Sequence, residues 1–301
     1  MSSRFNIPSL HRGDTKVLAR TLSLVENEVE GYLEFLQQLP DSEVPVVGIT
    51  GPPGAGKSTL VDGLIGHWVQ QGKKVGVLCV DPSSPFNLGA LLGDRIRMSD
   101  WYTNPNVFIR SLATRGSLGG LHPHILELAD VMKAAGFDYV VVETVGVGQS
   151  EVEIAGLADC TVVVVVPEAG DEVQTMKAGL MEIADLFVLN KADRPDADRY
   201  LKNLRLMLAP SFSRTHQEIP VLKTVATLHQ GIDDVANAID ANLAAHRTQD
   251  RRFWLLAEKA WHLVLKHRMA DIDKAKLKAE IEAASGQGFN LYRYVASRFL
   301  S

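Results

Sequence analysis

The stretch Gly51-Pro52-Pro53-Gly54-Ala55-Gly56-Lys57-Ser58 has the spacing G-x-x-x-x-G-K-[ST], between an apolar run at Val44–Thr50 and a helical stretch at Ser58–Gln71. The residue types explain the chemistry this spacing serves. Glycines let backbone N–H groups curl around phosphate oxygens, and the helix that follows presents its positive end to them. Lys57 would reach the β- and γ-phosphates, the Ser58 hydroxyl would ligate Mg²⁺, and Thr59 adds an α-phosphate contact. The pattern reads as a nucleoside triphosphate site.

A second pattern, Asn190-Lys191-Ala192-Asp193, follows another apolar run and gives N-K-x-D. A carboxylate at Asp193 accepts from ring N1–H and exocyclic N2–H₂ together, a pair of donors that guanine offers and adenine does not. Adenine would leave a buried charge facing an unprotonated nitrogen, which is costly. Asn190 would meet the other edge of the base and brace the phosphate loop, while the Lys191 stem covers the base face. The loop Lys223-Thr224-Val225-Ala226 offers a backbone N–H, at Ala226, to guanine O6. The expected ligand is GTP, with GDP as product.

Acids close two further apolar runs, Val80-Asp81 and Val142-Glu143. In open α/β sheets ligands gather at the C-terminal ends of strands, so Asp81 and Glu143 are placed to hold Mg²⁺ directly or through its waters. Asp94, in Gly93-Asp94-Arg95-Ile96-Arg97, is either a metal contact or a surface acid paired with Arg95 or Arg97. Ser58, Asp81 and Glu143 form the candidate metal shell and Lys57 and Glu143 the candidate catalytic residues, with Asp94 joining both sets only in the first of its two readings. Pro167-Glu168-Ala169-Gly170-Asp171-Glu172 reads as a helix cap or a switch loop.

The elements that must position these residues alternate along the chain. Strands are expected at Val44–Thr50, Lys74–Val80, Tyr139–Glu143, Thr161–Pro167, Leu186–Asn190 and Ile219–Val225. Helices are expected at Ser58–Gln71, Ile125–Ala135, Asp171–Ile183 and Ala197–Met207. Strands that are apolar nearly throughout, alternating with helices, imply a mostly parallel sheet with helices on both faces, an α/β fold. Asp14–Leu39 reads as one N-terminal helix by its apolar spacing, limited by Gly31 and ended by Pro40. Beyond Leu243 the chain turns charged and helical, and Phe253, Leu256, Trp261 and Leu265 mark an amphipathic helix that needs a partner surface, its own domain or a second subunit.

Composition narrows the classes. With 31 Lys+Arg against 36 Asp+Glu in 301 residues, the net charge is −5, which excludes a protein held to nucleic acid by charge alone. Hydrophobic residues at 46% and charged residues at 22% are those of a globular protein rather than a disordered one. Cys79 and Cys160 lie in apolar runs and are expected in the core, not in a disulfide or zinc site. The longest apolar run, Val162–Val166, is far too short to span a bilayer, so a soluble, cytoplasmic protein is expected.

The phosphate loop, VDPSSP, GDRIRM, VETVGVGQSE, PEAGDEVQTMKAG and NKAD, in that order, together resemble the MeaB/ArgK-type G proteins. These are a branch of the SIMIBI phosphate-loop GTPases that assists adenosylcobalamin-dependent acyl-CoA mutases. The resemblance spans about residues 15 to 245. It implies a G-protein chaperone that gates cobalamin loading and protects or reactivates a mutase such as methylmalonyl-CoA mutase. It places Ser58, Asp81, Asp94 and Glu143 in the Mg²⁺ shell, Gln149 in a second switch, and Asp171, Gln174 and Lys177 in a third. It divides the chain into a helical segment (1–42), a G domain (43–245) and a helical dimerisation arm (246–301), hence a homodimer. The family's guanine loop often reads Thr-Ser-Ala, where this chain has Thr224-Val225-Ala226.

The mechanism expected of such a site is positioning plus charge neutralisation by Lys57, Mg²⁺ and loop N–H groups. With no arginine finger or water-orienting glutamine identified, hydrolysis is expected to be slow alone and accelerated by the partner. A GTPase metallochaperone for nickel enzymes shares the motif order but needs a Cys/His cluster. Here only His122 and His124 stand together, and such a pair is a structural turn or a ligand pair. An ATP-driven kinase or transport ATPase conflicts with N-K-x-D. A binding module without hydrolysis is separated by turnover measurements.

Overall fold

The structure is a computed structural model describing residues 5–81, 98–113, 121–144, 150–167, 181, 183–215, 219–245, 250–269, 272–285 and 289–299. The chain forms two compact units, Met1–Arg252 and Phe253–Ser301.

In the first unit the apolar runs become strands β1 (Val46–Thr50), β2 (Val75–Asp81), β3 (Val107–Ala113), β4 (Tyr139–Glu143), β5 (Cys160–Val165), β6 (Leu186–Leu189) and β7 (Val221–Lys223). Among the described residues they form one sheet in the order β3-β2-β4-β1-β5-β6-β7, with every pairing parallel. β1, β4, β5 and β6 are almost wholly buried, as a sheet covered by helices on both faces requires. Both cysteines are buried within it.

The register is pinned by a repeated device. Asp138, Asp159 and Asp185 each stand just before a strand and accept a backbone N–H at, or one residue from, the start of the strand beside it. Asp138 Oδ2 takes Lys74 N, Asp159 Oδ2 takes Val46 N and Asp185 Oδ2 takes Thr161 N, each at 2.8 Å. These amides, at the start of a strand, lack a ladder partner on that side, and the carboxylate supplies one with a charge-assisted bond.

β3 is the strand that the sequence pattern missed. It lies at the sheet edge beside β2, and its middle residues are half-buried. Phe-Ile-Arg-Ser has no continuous apolar face, and edge pairing rather than hydrophobic pattern makes it a strand.

The N-terminal segment also differs from the single helix expected over Asp14–Leu39. Helix α1 (Ile7–His11) leads to α2 (Thr15–Glu26), where the Asp14 carboxylate accepts from Lys16 N and Val17 N. The chain then breaks and resumes as α3 (Tyr32–Leu36). Glu28 N bonds Val25 O and Val29 N bonds Leu24 O, both at 3.0 Å, with Glu28 left-handed at φ 49°. That is a Schellman ending, which overrides the continuing apolar period.

The remaining helices of this unit are α4 (Lys57–Gln70), α5 (Ile125–Lys133), α6 (Ser150–Leu157), α7 (Ala197–Thr215) and α8 (Ile232–Ala244). The expected helix at Asp171–Ile183 falls almost entirely outside the described residues. Helix α9 (Asp250–Arg268) begins in the first unit. In the second, α10 (Lys274–Ala284) is capped by Asp273, and α11 (Leu291–Phe299) is joined to it by Tyr294 Oη donating to Glu280 at 2.8 Å. On α9, Phe253, Trp254 and Trp261 are exposed.

Helix α2 is tied to the sheet by a buried polar cluster. Arg110 of β3 donates to Glu26 Oε2 at 2.7 Å and to Ser23 Oγ at 3.1 Å, and His122 Nε2 stands 3.6 Å from Glu26 Oε1. His122 and then the Arg110 guanidinium hold the Glu26 carboxyl down at about 2, against the opposing effect of burial. A carboxyl lowered from its ordinary 4.5 stabilises the fold above that value and loses its contribution as pH falls toward 2. Glu26→Gln should therefore cost roughly 2 kcal/mol at neutral pH, with the gap to wild type closing between about pH 4.5 and 2. Urea unfolding across that range measures it; a gap that stays constant to pH 2 would show that the charge is not what stabilises.

Candidate functional site

The loop after β1 leaves the centre of the sheet, flanked by β4 and β5, and closes into α4. Two of its glycines are obligatory. Gly51 (φ 137°) has its Cα against the Val164 carbonyl, where a Cβ would collide with backbone. Gly56 (φ 86°) lies against the Asn190 amide, and a Cβ there would displace it. Gly56 also caps α4 with no side-chain hydrogen bond, so it leaves the helix's first N–H groups to other partners. Ala55 is fully buried, whereas Pro53 and Gly54 are exposed and Pro52 and Thr59 are half-buried.

Lys57 is buried and its Nζ donates to the carbonyls of Gly51 and Pro52 at 2.9 and 3.0 Å, which folds the side chain back along the loop. The Ser58 hydroxyl donates to Glu143 Oε1 at 2.6 Å, both residues being buried. The β1–β4 register sets Glu143 beside Ile49, just short of the loop. Thr144 follows, its hydroxyl donating to Thr50 Oγ1 at 2.9 Å, so the ends of β1 and β4 are tied together under the loop.

A hydroxyl and a carboxylate in contact, buried at the start of a helix, form a hard oxygen donor pair suited to Mg²⁺. Asp81 ends β2, two positions beyond the Cys79 that pairs with Glu143, so the chain delivers it to the same edge of the sheet. Asp94, Gln149, Asp171, Gln174 and Lys177 lie outside the described residues.

The second half of the site is built around Asn190, which is 3% exposed at the end of β6. Its Nδ2 donates to the Ala55 carbonyl at 2.9 Å, and its Oδ1 accepts from Thr224 Oγ1 and Ala226 N, each at 3.1 Å. The two donors identify the oxygen, and one amide hydrogen is left for a ligand acceptor. The Ala226 N–H expected at guanine O6 is thus already engaged with Asn190, and a contact to O6 would share that hydrogen. Lys191 is half-buried and left-handed at φ 55°, which turns the chain so that Asp193 stands exposed.

Thr224, placed in the guanine loop by the sequence but given no role of its own there, carries one in the structure. It is 1% exposed, donates its hydroxyl to Asn190 and accepts Ala192 N on its carbonyl at 3.0 Å, so it holds both the amide and the turn that carries Asp193. The available signal was a hydroxyl residue closing a strand next to the N-K-x-D strand. Val225 pairs with Gln230 in an antiparallel bridge that closes the loop behind it.

His122 and His124 serve the fold. His122 is buried and its Nδ1 accepts from His124 N at 3.1 Å, while His124 stands 3.5 Å from Glu127 and 3.6 Å from Glu28. Among the described residues no three His, Cys, Asp or Glu side chains are gathered to hold a metal ion, and no helix is long and apolar enough to cross a membrane.

Comparison with known proteins agrees with this geometry. A family model described as "Methylmalonyl Co-A mutase-associated GTPase MeaB" matches residues 18–275. A Pyrococcus abyssi protein assigned as a GTPase is 50% identical over 238 residues, covering 77% of this chain and 74% of its own. A fused isobutyryl-CoA mutase of Geobacillus kaustophilus is 38% identical over 234 residues, which is 72% of this chain but 21% of that one. The crystal structure of a LAO/AO transport system kinase superposes with a TM-score of 0.68 at 28% identity, covering 98% of this chain and 96% of that one. The phosphate loop, the amide-braced second loop and the matched family coincide on one stretch of chain, which belongs to the MeaB family of methylmalonyl-CoA mutase-associated GTPases and is itself a P-loop GTPase.

Proposed function

We propose that this protein is a Mg²⁺-dependent G-protein chaperone of an adenosylcobalamin-dependent acyl-CoA mutase, methylmalonyl-CoA mutase or a close relative, acting in the cytoplasm. In this reading it gates cofactor loading and protects or reactivates the mutase. The observation that carries it is the family match together with a relative in which the same stretch is fused into an isobutyryl-CoA mutase. Fusion in one chain supports association of the two functions in separate ones.

At the nucleotide, Lys57 would leave the Gly51 and Pro52 carbonyls for the β- and γ-phosphates, while the loop N–H groups and the start of α4 cradle them. Ser58 and Glu143, with Asp81 and Asp94, would hold the metal, which supplies charge neutralisation on the phosphates. The Asp193 carboxylate would select guanine, the Lys191 stem would cover the base, and Asn190 would offer its remaining amide hydrogen to the purine ring. Gly51, Pro52, Pro53, Gly54, Ala55, Gly56 and Thr59 complete the phosphate side, with Ala226 at the base. Residues 1–42, 43–245 and 246–301 would act as helical segment, G domain and dimerisation arm. The exposed Phe253, Trp254 and Trp261 support a homodimer through that arm.

Asp193→Ala should weaken GTP binding about 100-fold, roughly 3 kcal/mol, and leave thermal unfolding unchanged, because the side chain is exposed. Thr224→Val removes one of two donors to Asn190 and should weaken GTP about five- to tenfold. Titration calorimetry with GTP measures both. The function itself is tested by GTP hydrolysis with and without a purified adenosylcobalamin-dependent acyl-CoA mutase, with ATP as control. Slow turnover of GTP alone, strongly accelerated by the mutase, is the expected result. Fast turnover without a partner, or no response to any such mutase, would overturn the chaperone reading while leaving the GTPase in place.

A further inference from the structure

Helix α4 carries the phosphate-loop lysine and serine, so its rotation about its own axis decides where the Ser58 hydroxyl points. Ser58, Asp62 and Gly66 recur at four-residue spacing and form one stripe along the helix. At the top of the stripe Ser58 donates to Glu143. One turn below, Asp62 Oδ1 accepts from Trp101 Nε1 at 2.7 Å, a part-buried bond. One turn lower still, the Trp101 ring covers Gly66, and a Cβ added there would sit 3.6 and 3.7 Å from its carbons.

The turn that carries Trp101 is itself firmly seated. Met98 is fully buried, and the 3-10 turn Ser99–Trp101 follows it, with Trp101 N donating to Met98 O at 3.2 Å. Asn104 N bonds Trp101 O at 3.0 Å, and Asn106 O takes Val75 N at 2.8 Å, which ties the turn to the start of β2. On another flank of α4, His67 Nδ1 meets Asp233 Oδ1 of α8 at 2.6 Å. The helix is therefore held from two sides, and the Trp101 contact lies on the stripe that presents Ser58.

We infer that Trp101 and Asp62 are positioning residues for magnesium–guanine nucleotide: the indole fixes the azimuth of α4, and with it the Ser58 hydroxyl, through one hydrogen bond to Asp62. Neither residue touches the nucleotide. The inference rests on the proposed reading of Ser58 and Glu143 as metal donors. It assigns the tryptophan a role that packing alone does not, since phenylalanine would cover Gly66 equally well but donates nothing.

The test is equilibrium binding of GDP to the full-length protein, by calorimetry, in Mg²⁺ and separately in EDTA. Trp101→Phe should weaken binding about five- to tenfold in Mg²⁺ and leave it unchanged in EDTA. Asp62→Ala should do the same, and the double variant should lose no more than either single one, because both remove one bond. Asp62→Asn, whose amide oxygen still accepts from the indole, should bind as wild type does. Equal losses in Mg²⁺ and EDTA would reduce the pair to structural support and overturn the inference, as would wild-type affinity in Trp101→Phe or Asp62→Ala. Thermal unfolding checks that each variant is folded, and Asp62→Ala decides the matter if Trp101→Phe is not. Should the wild-type protein itself bind GDP no tighter in Mg²⁺ than in EDTA, the parent reading of the metal shell fails and the inference goes with it.

Discussion

One buried amide organises the binding end of this protein. Asn190 is buried, so each of its polar atoms must find a partner or forfeit several kcal/mol of hydration. It finds them on two separate loops, Ala55 after β1 and Thr224 and Ala226 after β7, while its own backbone ends β6. A single side chain thus makes the phosphate half and the base half of the site mutually dependent. Movement of either loop would strand a buried donor or acceptor, so the two halves hold one geometry. The same closeness explains why Gly56 tolerates no side chain.

Below that end, the sheet sets up the loops by register. Pairing Ile49 with Glu143 brings the carboxylate level with the start of the phosphate loop, and a slip of one residue would turn it to the other face of the sheet. The three aspartates that receive N–H groups at the opposite ends of the strands act against such slips. A carboxylate acceptor gives a bond stronger than the amide–carbonyl ladder it completes. Strand ends far from the nucleotide therefore share in holding the site.

The family relationship gives these features a context. The family match over residues 18–275 takes in all seven strands of the sheet, and the stretch similar to the Geobacillus relative is one part of that much longer mutase chain. A GTPase of this family that worked as proposed would convert nucleotide state into a surface that its client senses. Linked loops and a clamped phosphate-loop helix are suitable for this, because tightly packed elements shift between discrete arrangements rather than deform gradually.

Much of this was legible in residue types and spacing. The phosphate loop, N-K-x-D and the acid-ended strands are local patterns whose chemistry is carried by a few consecutive residues, and the valine-rich runs could only be strands buried on both faces. What the sequence could not decide depends on partners distant in the chain. β3 is a strand because β2 lies beside it, not because of its own alternation. The N-terminal helix stops at Asn27 because Glu28 adopts a left-handed turn that the apolar period does not encode. Thr224 and Trp101 gain their roles from Asn190, 34 residues away, and Asp62, 39 residues away. A hydrogen bond between side chains leaves no periodicity, since its two ends need share only a place in space. Local chemistry and burial pattern were therefore determined by the sequence itself, and the couplings that turn them into one site were decided by the tertiary fold.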